Sequence, residues 1–148
     1  MINIQTAAER YISGKHQDPT KLELAIFADW LDREFDKIKH IVRFTPSEVD
    51  PAQMLARLEN TGQLLISSAN NDSNWLTAKQ NIRFRAVHDS HHVRYGLSFD
   101  AEGEYMAFEA AAAEAPPEIH WILRSEIWLQ AAASIHTGTF QEQKLVNY

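Results

Sequence analysis

The chain has 148 residues, 45% of them hydrophobic and 23% charged, which fits one helix-rich domain over residues 1–148. Lys and Arg number 14 against 20 Asp and Glu, a net charge of −6; this argues against a nucleic-acid partner, because phosphate binding needs a dense basic face. Cysteine is absent, which excludes disulfides, thiolate metal sites and Cys nucleophiles, so any metal has to be held by His, Asp or Glu.

The first ten residues lack a basic stretch followed by an apolar one, so no signal peptide is expected. No apolar run approaches the roughly 18 residues of a membrane span. The expectation is a cytoplasmic protein without a membrane partner. Its partner is an unidentified small molecule or protein.

Thr6-Ala7-Ala8-Glu9 has capping-box spacing and Gly14 a stop signal, which predicts a short helix over 6–13. Asp18-Pro19 reads as the next helix start. Leu24, Phe27, Leu31, Phe35 and Ile38 then mark one apolar face. The acids Asp29, Asp32 and Asp36 belong to a solvated face. Residues 41–44 and 64–66 read as short strands, joined by a helix that opens at Asp50-Pro51 and closes near Gly62. Such a pair is either a parallel βαβ unit or an antiparallel ribbon.

Residues 68–74 are a loop. Thr77 to Gln80 is another capping box, and the helix it opens reaches Tyr95 before Gly96. A further helix begins near Gly103 and runs through the alanines 110–113. Pro116-Pro117 separates it from a last helix, 118–136, which is apolar nearly all round, with Trp121, Trp128 and Ile135 on one side; residues 140–148 form an extended tail. The fold class is mainly α with at most a two- or three-stranded sheet, and α+β is the alternative.

On a wheel of the 77–95 helix, Arg83, Ser90 and Arg94 share the side expected to face solvent. Asn81, Arg85, His88 and His92 lie opposite, flanked by Phe84 and Tyr95. His88 and His92, four apart, can reach one ion. With Asp89 they spell HDxxH, the zinc-protease HExxH with a shorter acid. His91 lies off this stripe by about 60° and is a weaker ligand candidate.

Glu104 shares a stripe with Ala107, Phe108 and Ala111, whose small side chains permit close helix packing. Glu126 and Gln130 sit together on the last helix. A carboxylate buried there has to be paired, hydrogen-bonded or bound to metal. The metal set is therefore His88 and His92 with Glu126 or Glu104, a shell suited to zinc, iron or manganese. Asp89, Glu104 and Arg85 are the catalytic candidates, although Arg85 equally suits the neutralisation of a buried carboxylate. The His-Asp doublet also invites the metal-dependent HD phosphohydrolase reading, with His40 and Asp100 as the only available partners. No GxSxG nucleophile elbow is present.

The block Phe84-Arg85-Ala86-Val87-His88-Asp89 with His92 resembles a family of uncharacterised bacterial and bacteriophage proteins, some of them parts of large phage polyproteins. The likeness continues through Gly103-Glu104 with Ala107, Glu126 with Gln130, and Phe140 with Glu142-Gln143-Lys144. It covers the chain from about residue 35 onward. In that family's pattern the second His comes one residue later. The resemblance implies no activity, but it gathers the residues that the wheels select.

Two functions are expected from this. One is a metal-dependent hydrolase in which Asp89 or the non-ligating carboxylate acts as general base. The other is a non-enzymatic phage or bacterial interaction protein whose buried His/Glu/Arg network only specifies the fold.

Overall fold

The computed structural model describes residues 2–148, and they are mainly helical with one two-stranded parallel sheet. Helix α1 (Ile4–Ser13) begins earlier than expected. Asn3, not Thr6, is its N-cap, and the Asn3 side chain accepts the Thr6 backbone N–H at 3.0 Å. Helix α2 (Lys21–Ile38) starts later than Asp18-Pro19 predicts. Thr20 and Glu23 form a reciprocal capping box there, which satisfies two orphan backbone donors where a lone Asp cap satisfies one. Phe27, Leu31 and Phe35 are buried, and Asp29, Asp32 and Asp36 are exposed as expected.

Strand β1 (Val42–Thr45), helix α3 (Pro51–Thr61) and strand β2 (Leu64–Ser67) form the parallel alternative. Val42 pairs with Leu64, and the register runs to Thr45 with Ser67. Asp50 caps α3 with Pro51 at its first position, and Gly62 ends it at φ 72°, a left-handed conformation that favours glycine. Helix α3 thereby returns the chain to the start of the sheet, as a parallel crossover requires.

Helix α4 (Ala78–Tyr95) has the predicted Thr77–Gln80 box and ends at Gly96. Helix α5 (Ala101–Ala113) is capped by Asp100, whose carboxylate accepts the Gly103 N–H at 2.9 Å. After a single 3₁₀ turn (Pro117–Ile119) the last helical stretch is less regular than expected. Helix α6 (His120–Leu123) passes through a π-helical segment (Arg124–Leu129) into α7 (Gln130–Thr137), the Gln130 N–H reaching back to the Ser125 carbonyl. Ile135 is exposed, contrary to the all-round burial expected of this stretch.

Ser125 also receives the C-terminal tail. Its hydroxyl accepts the Val146 N–H at 2.9 Å and faces the Lys144 carbonyl at 3.3 Å. The tail is irregular, yet Leu145 and Val146 are buried. The Tyr11 hydroxyl donates to the Glu142 carbonyl and accepts the Lys144 N–H at 3.0 Å. A Cβ on Gly14 would overlap the Val146 side chain, so Gly14 is a packing requirement. One buried cluster runs from Ala8 and Phe27 through Phe84 and Ala107 to Leu129 and Leu145.

Candidate metal centre

Sequence places two imidazoles on one face of α4, and a tight turn brings the carboxylate to them. Gly96, at φ 63°, lets the Leu97 N–H bond the His92 carbonyl at 2.8 Å and reverses the chain. Phe99 then stacks on His92 with centroids 4.3 Å apart and rings 10° from parallel. Asp100 starts α5, which carries Glu104 back over the histidines. Ala107 and Ala111 are fully buried; their small side chains permit the close packing expected of them.

His88 Nε2 lies 3.1 Å from one Glu104 oxygen and His92 Nε2 lies 3.2 Å from the other. The two rings are edge to face at 4.7 Å. One ligand atom from each of the three residues falls within 4.8 Å of the other two. His92 Nδ1 faces the Leu97 carbonyl at 3.3 Å. A carbonyl only accepts, which puts the imidazole proton on Nδ1 and leaves a lone pair on Nε2 of the neutral ring. That Nε2 is buried and, despite its nearness to Glu104, has no hydrogen bond of proper geometry. A buried lone pair set against a carboxylate calls for a proton or a cation between them. The carbonyl behind His92 is also the usual orienting partner of a metal-ligating histidine. Two His and one Glu thus fit a divalent zinc, iron or manganese ion.

The electrostatics follow from the same geometry. Burial pushes the Glu104 carboxyl up, but when the two imidazoles carry a proton toward it they outweigh burial and hold it down at about 2. Burial pulls His88 down, and its contact with Glu104 reverses this to a net rise. Burial raises Asp89 against the opposing pull of His88 and His92.

His88 and Glu104 open on a cleft of about 470 Å³ also lined by Arg85, Glu126, Gln130 and Phe140. Here the placement differs from the expected ligand set. Glu126 lines the cleft but stays outside the three-residue group; it accepts the Trp75 indole N–H at 2.9 Å and faces the Gln143 amide at 3.5 Å. The π-helical segment that carries it alters the spacing that a regular wheel assumes. Burial raises its carboxyl above the usual range. Asp89 lines a separate cavity of about 150 Å³ beside α3. Among the described residues Arg85 neutralises no carboxylate by contact: its guanidinium donates to the carbonyls of Ser67, Ala69 and Asn70 at 2.6, 2.8 and 3.2 Å. His40 is exposed and Asp100 is a helix cap, so neither joins the site.

A second group was missed by the wheel. His91 is buried beside Glu34 and Glu114, because α2 covers the side of α4 expected to face solvent. Arg83 and Arg94 lie at its rim, paired with Asp32 and Glu114. The available signal was Glu34 itself, three residues after Leu31 and four before Ile38 within an apolar stripe.

No helix among the described residues is long and apolar enough to cross a membrane. Compared with known proteins, the chain matches no family model, no curated protein and no solved structure.

Proposed function

We propose that the chain is a metal-dependent hydrolase whose ion is held by His88, His92 and Glu104. The observation that carries this reading is the buried, unpartnered Nε2 of His92 facing Glu104 at 3.2 Å, with its other nitrogen already committed to Leu97. A bound divalent ion would supply Lewis-acid activation of water and of the scissile group. Among the chain's own groups, Glu126 is the cleft carboxyl suited to proton transfer, since it lines the cleft beside Glu104 and burial raises it above an ordinary carboxyl. Gln130 lines the same cleft and offers an amide donor for a substrate oxygen. Arg85 positions the residue 67–70 segment.

The test is elemental analysis of the untagged chain, followed by a hydrolase substrate panel run with and without the ion. Stoichiometric zinc, iron or manganese that H92A and E104Q lose is the expected result. A wild-type chain that retains and takes up no divalent ion overturns the reading.

A second reading, the non-enzymatic interaction protein, is favoured by one observation. With a proton on each imidazole, the 3.1 and 3.2 Å approaches become an ion-paired triad that clamps α4 to α5 with no ion. Absence of metal together with a strong loss of stability in E104A would select it.

A further inference from the structure

The cluster on the adjacent side of α4 is used by neither reading. Glu34 comes from α2, His91 from α4 and Glu114 from the C-terminal cap of α5. One ligand atom of each lies within 4.8 Å of the others. Glu34 is 4% exposed and His91 3%. Glu34 Oε1 and His91 Nδ1 are buried with no hydrogen-bond partner. Two such atoms in one small cluster are costly for a structural network, which normally pairs its buried polar groups.

The remaining oxygens are served from the rim. Lys37 Nζ lies 2.6 Å from Glu34 Oε2 and 3.5 Å from Glu114 Oε2. Arg94 and the Tyr95 hydroxyl reach Glu114 Oε1 at 3.1 and 3.2 Å. The Lys37 and Arg94 side chains are 57% and 59% exposed, so both approach from solvent and leave the inner face of the cluster bare. Burial raises Glu34, and contact with the Glu34 carboxyl is the largest cause holding Glu114 down at about 2. Glu34 and His91 also line a cavity of about 270 Å³ with Leu58, Leu64 and Val87, which leaves open space beside them.

We propose that Glu34, His91 and Glu114 form a second divalent-cation site, separate from the His88–His92–Glu104 group, with Lys37 as its internal competitor. One imidazole and two carboxylates from three elements suit zinc or manganese. Because Lys37 and Arg94 already balance the two acids, an entering ion has to displace the lysine. The site is therefore weaker than the first and is tuned by a residue that does not ligate.

The test is equilibrium dialysis of the full chain against Zn²⁺ alone, with circular dichroism to establish that each variant is folded. Two classes of ion are expected, the second about tenfold weaker or more. E34Q and H91A should lose the weak class only, and H88A the tight class only. K37M, a substitution at the rim, should tighten the weak class by roughly tenfold or more. Retention of the weak class in folded E34Q and H91A overturns the proposal, as does its indifference to K37M. If the buried substitutions do not fold, K37M alone decides. A chain that binds one ion, lost in H91A and kept in H88A, supports this site while refuting the hydrolase centre.

Discussion

Glu126 accepts the indole N–H of Trp75 at 2.9 Å from across the fold, the two residues being 51 apart in sequence. Among the described residues its partners are Trp75 and Gln143 and no cation, so its carboxyl is held by hydrogen bonds. A glutamine offers the same acceptor to Trp75. E126Q is expected to change stability by less than about 1 kcal/mol while it abolishes proton transfer in the proposed hydrolase. Thermal melts and turnover measured side by side check this. A loss of about 3 kcal/mol would instead reveal an unpaired buried cation.

Glu104 is the group on which both readings turn. E104A strands two imidazoles on the buried side of α4 and should cost about 3 kcal/mol, read from urea unfolding. If an ion is bound, a chelator should lower the melting temperature of the wild type. Free ion at 100 times its dissociation constant should then restore about 2.7 kcal/mol. In E104A both effects should shrink to the part carried by the weaker Glu34–His91–Glu114 site.

Gly103 sets the height of Glu104 above the histidines. A Cβ at this position would overlap the Ser98 carbonyl oxygen, which belongs to the turn before α5. Alanine ordinarily gains about 1 kcal/mol over glycine in a helix. G103A should instead destabilise by about 1–3 kcal/mol through overpacking, and should weaken ion binding with it. A stabilised G103A would show that the turn relaxes freely.

Tyr11 ties the tail to α1, and burial pushes its hydroxyl up to about 12 from 10.0. The ionised form is disfavoured in the folded chain. The stability Tyr11 contributes is therefore complete below pH 10 and is lost as pH rises through about 12, amounting to about 3 kcal/mol. Y11F leaves the Glu142 carbonyl and the Lys144 N–H without their partner and should cost about 1–3 kcal/mol at neutral pH. The gap between wild type and Y11F in unfolding free energy should close across that alkaline window.

Legibility in the sequence followed the reach of each signal. The His88–His92 pair was readable because it depends on one helical repeat, with Glu104 and Glu126 left as alternatives, and the short turn closed by Gly96 is what brings Glu104 to the pair. The parallel pairing of β1 and β2 was readable only as one of two alternatives, since strand direction depends on where α3 packs. Glu126 was drawn into the wrong group because a π-helical segment alters the spacing that a regular wheel assumes. The grouping of His91, a weaker candidate in the sequence, with Glu34 is not legible there for another reason. Arg83, Ser90 and Arg94 look like a solvent face, yet α2 packs on this side of α4 and leaves Arg83 and Ser90 half-buried, with Arg94 exposed at the rim. The buried tail had no local signal, because its partners are distant in sequence: the Leu145 N–H bonds His16 Nδ1, 129 residues away, and the Val146 N–H bonds the Ser125 hydroxyl, 21 residues away.

That clasp between α1 and the tail carries a kinetic consequence. The Tyr11–Lys144 bond spans 133 residues, so it closes almost the largest loop the chain can make. Loop closure of this length is entropically costly before its contacts form, whereas α4, the Gly96 turn and α5 assemble from neighbours. The nucleus should therefore lie in the α4–α5 hairpin, with the clasp added downhill of the barrier. Substitutions at Tyr11 should have φ-values near zero: they would speed unfolding and leave the refolding rate almost untouched.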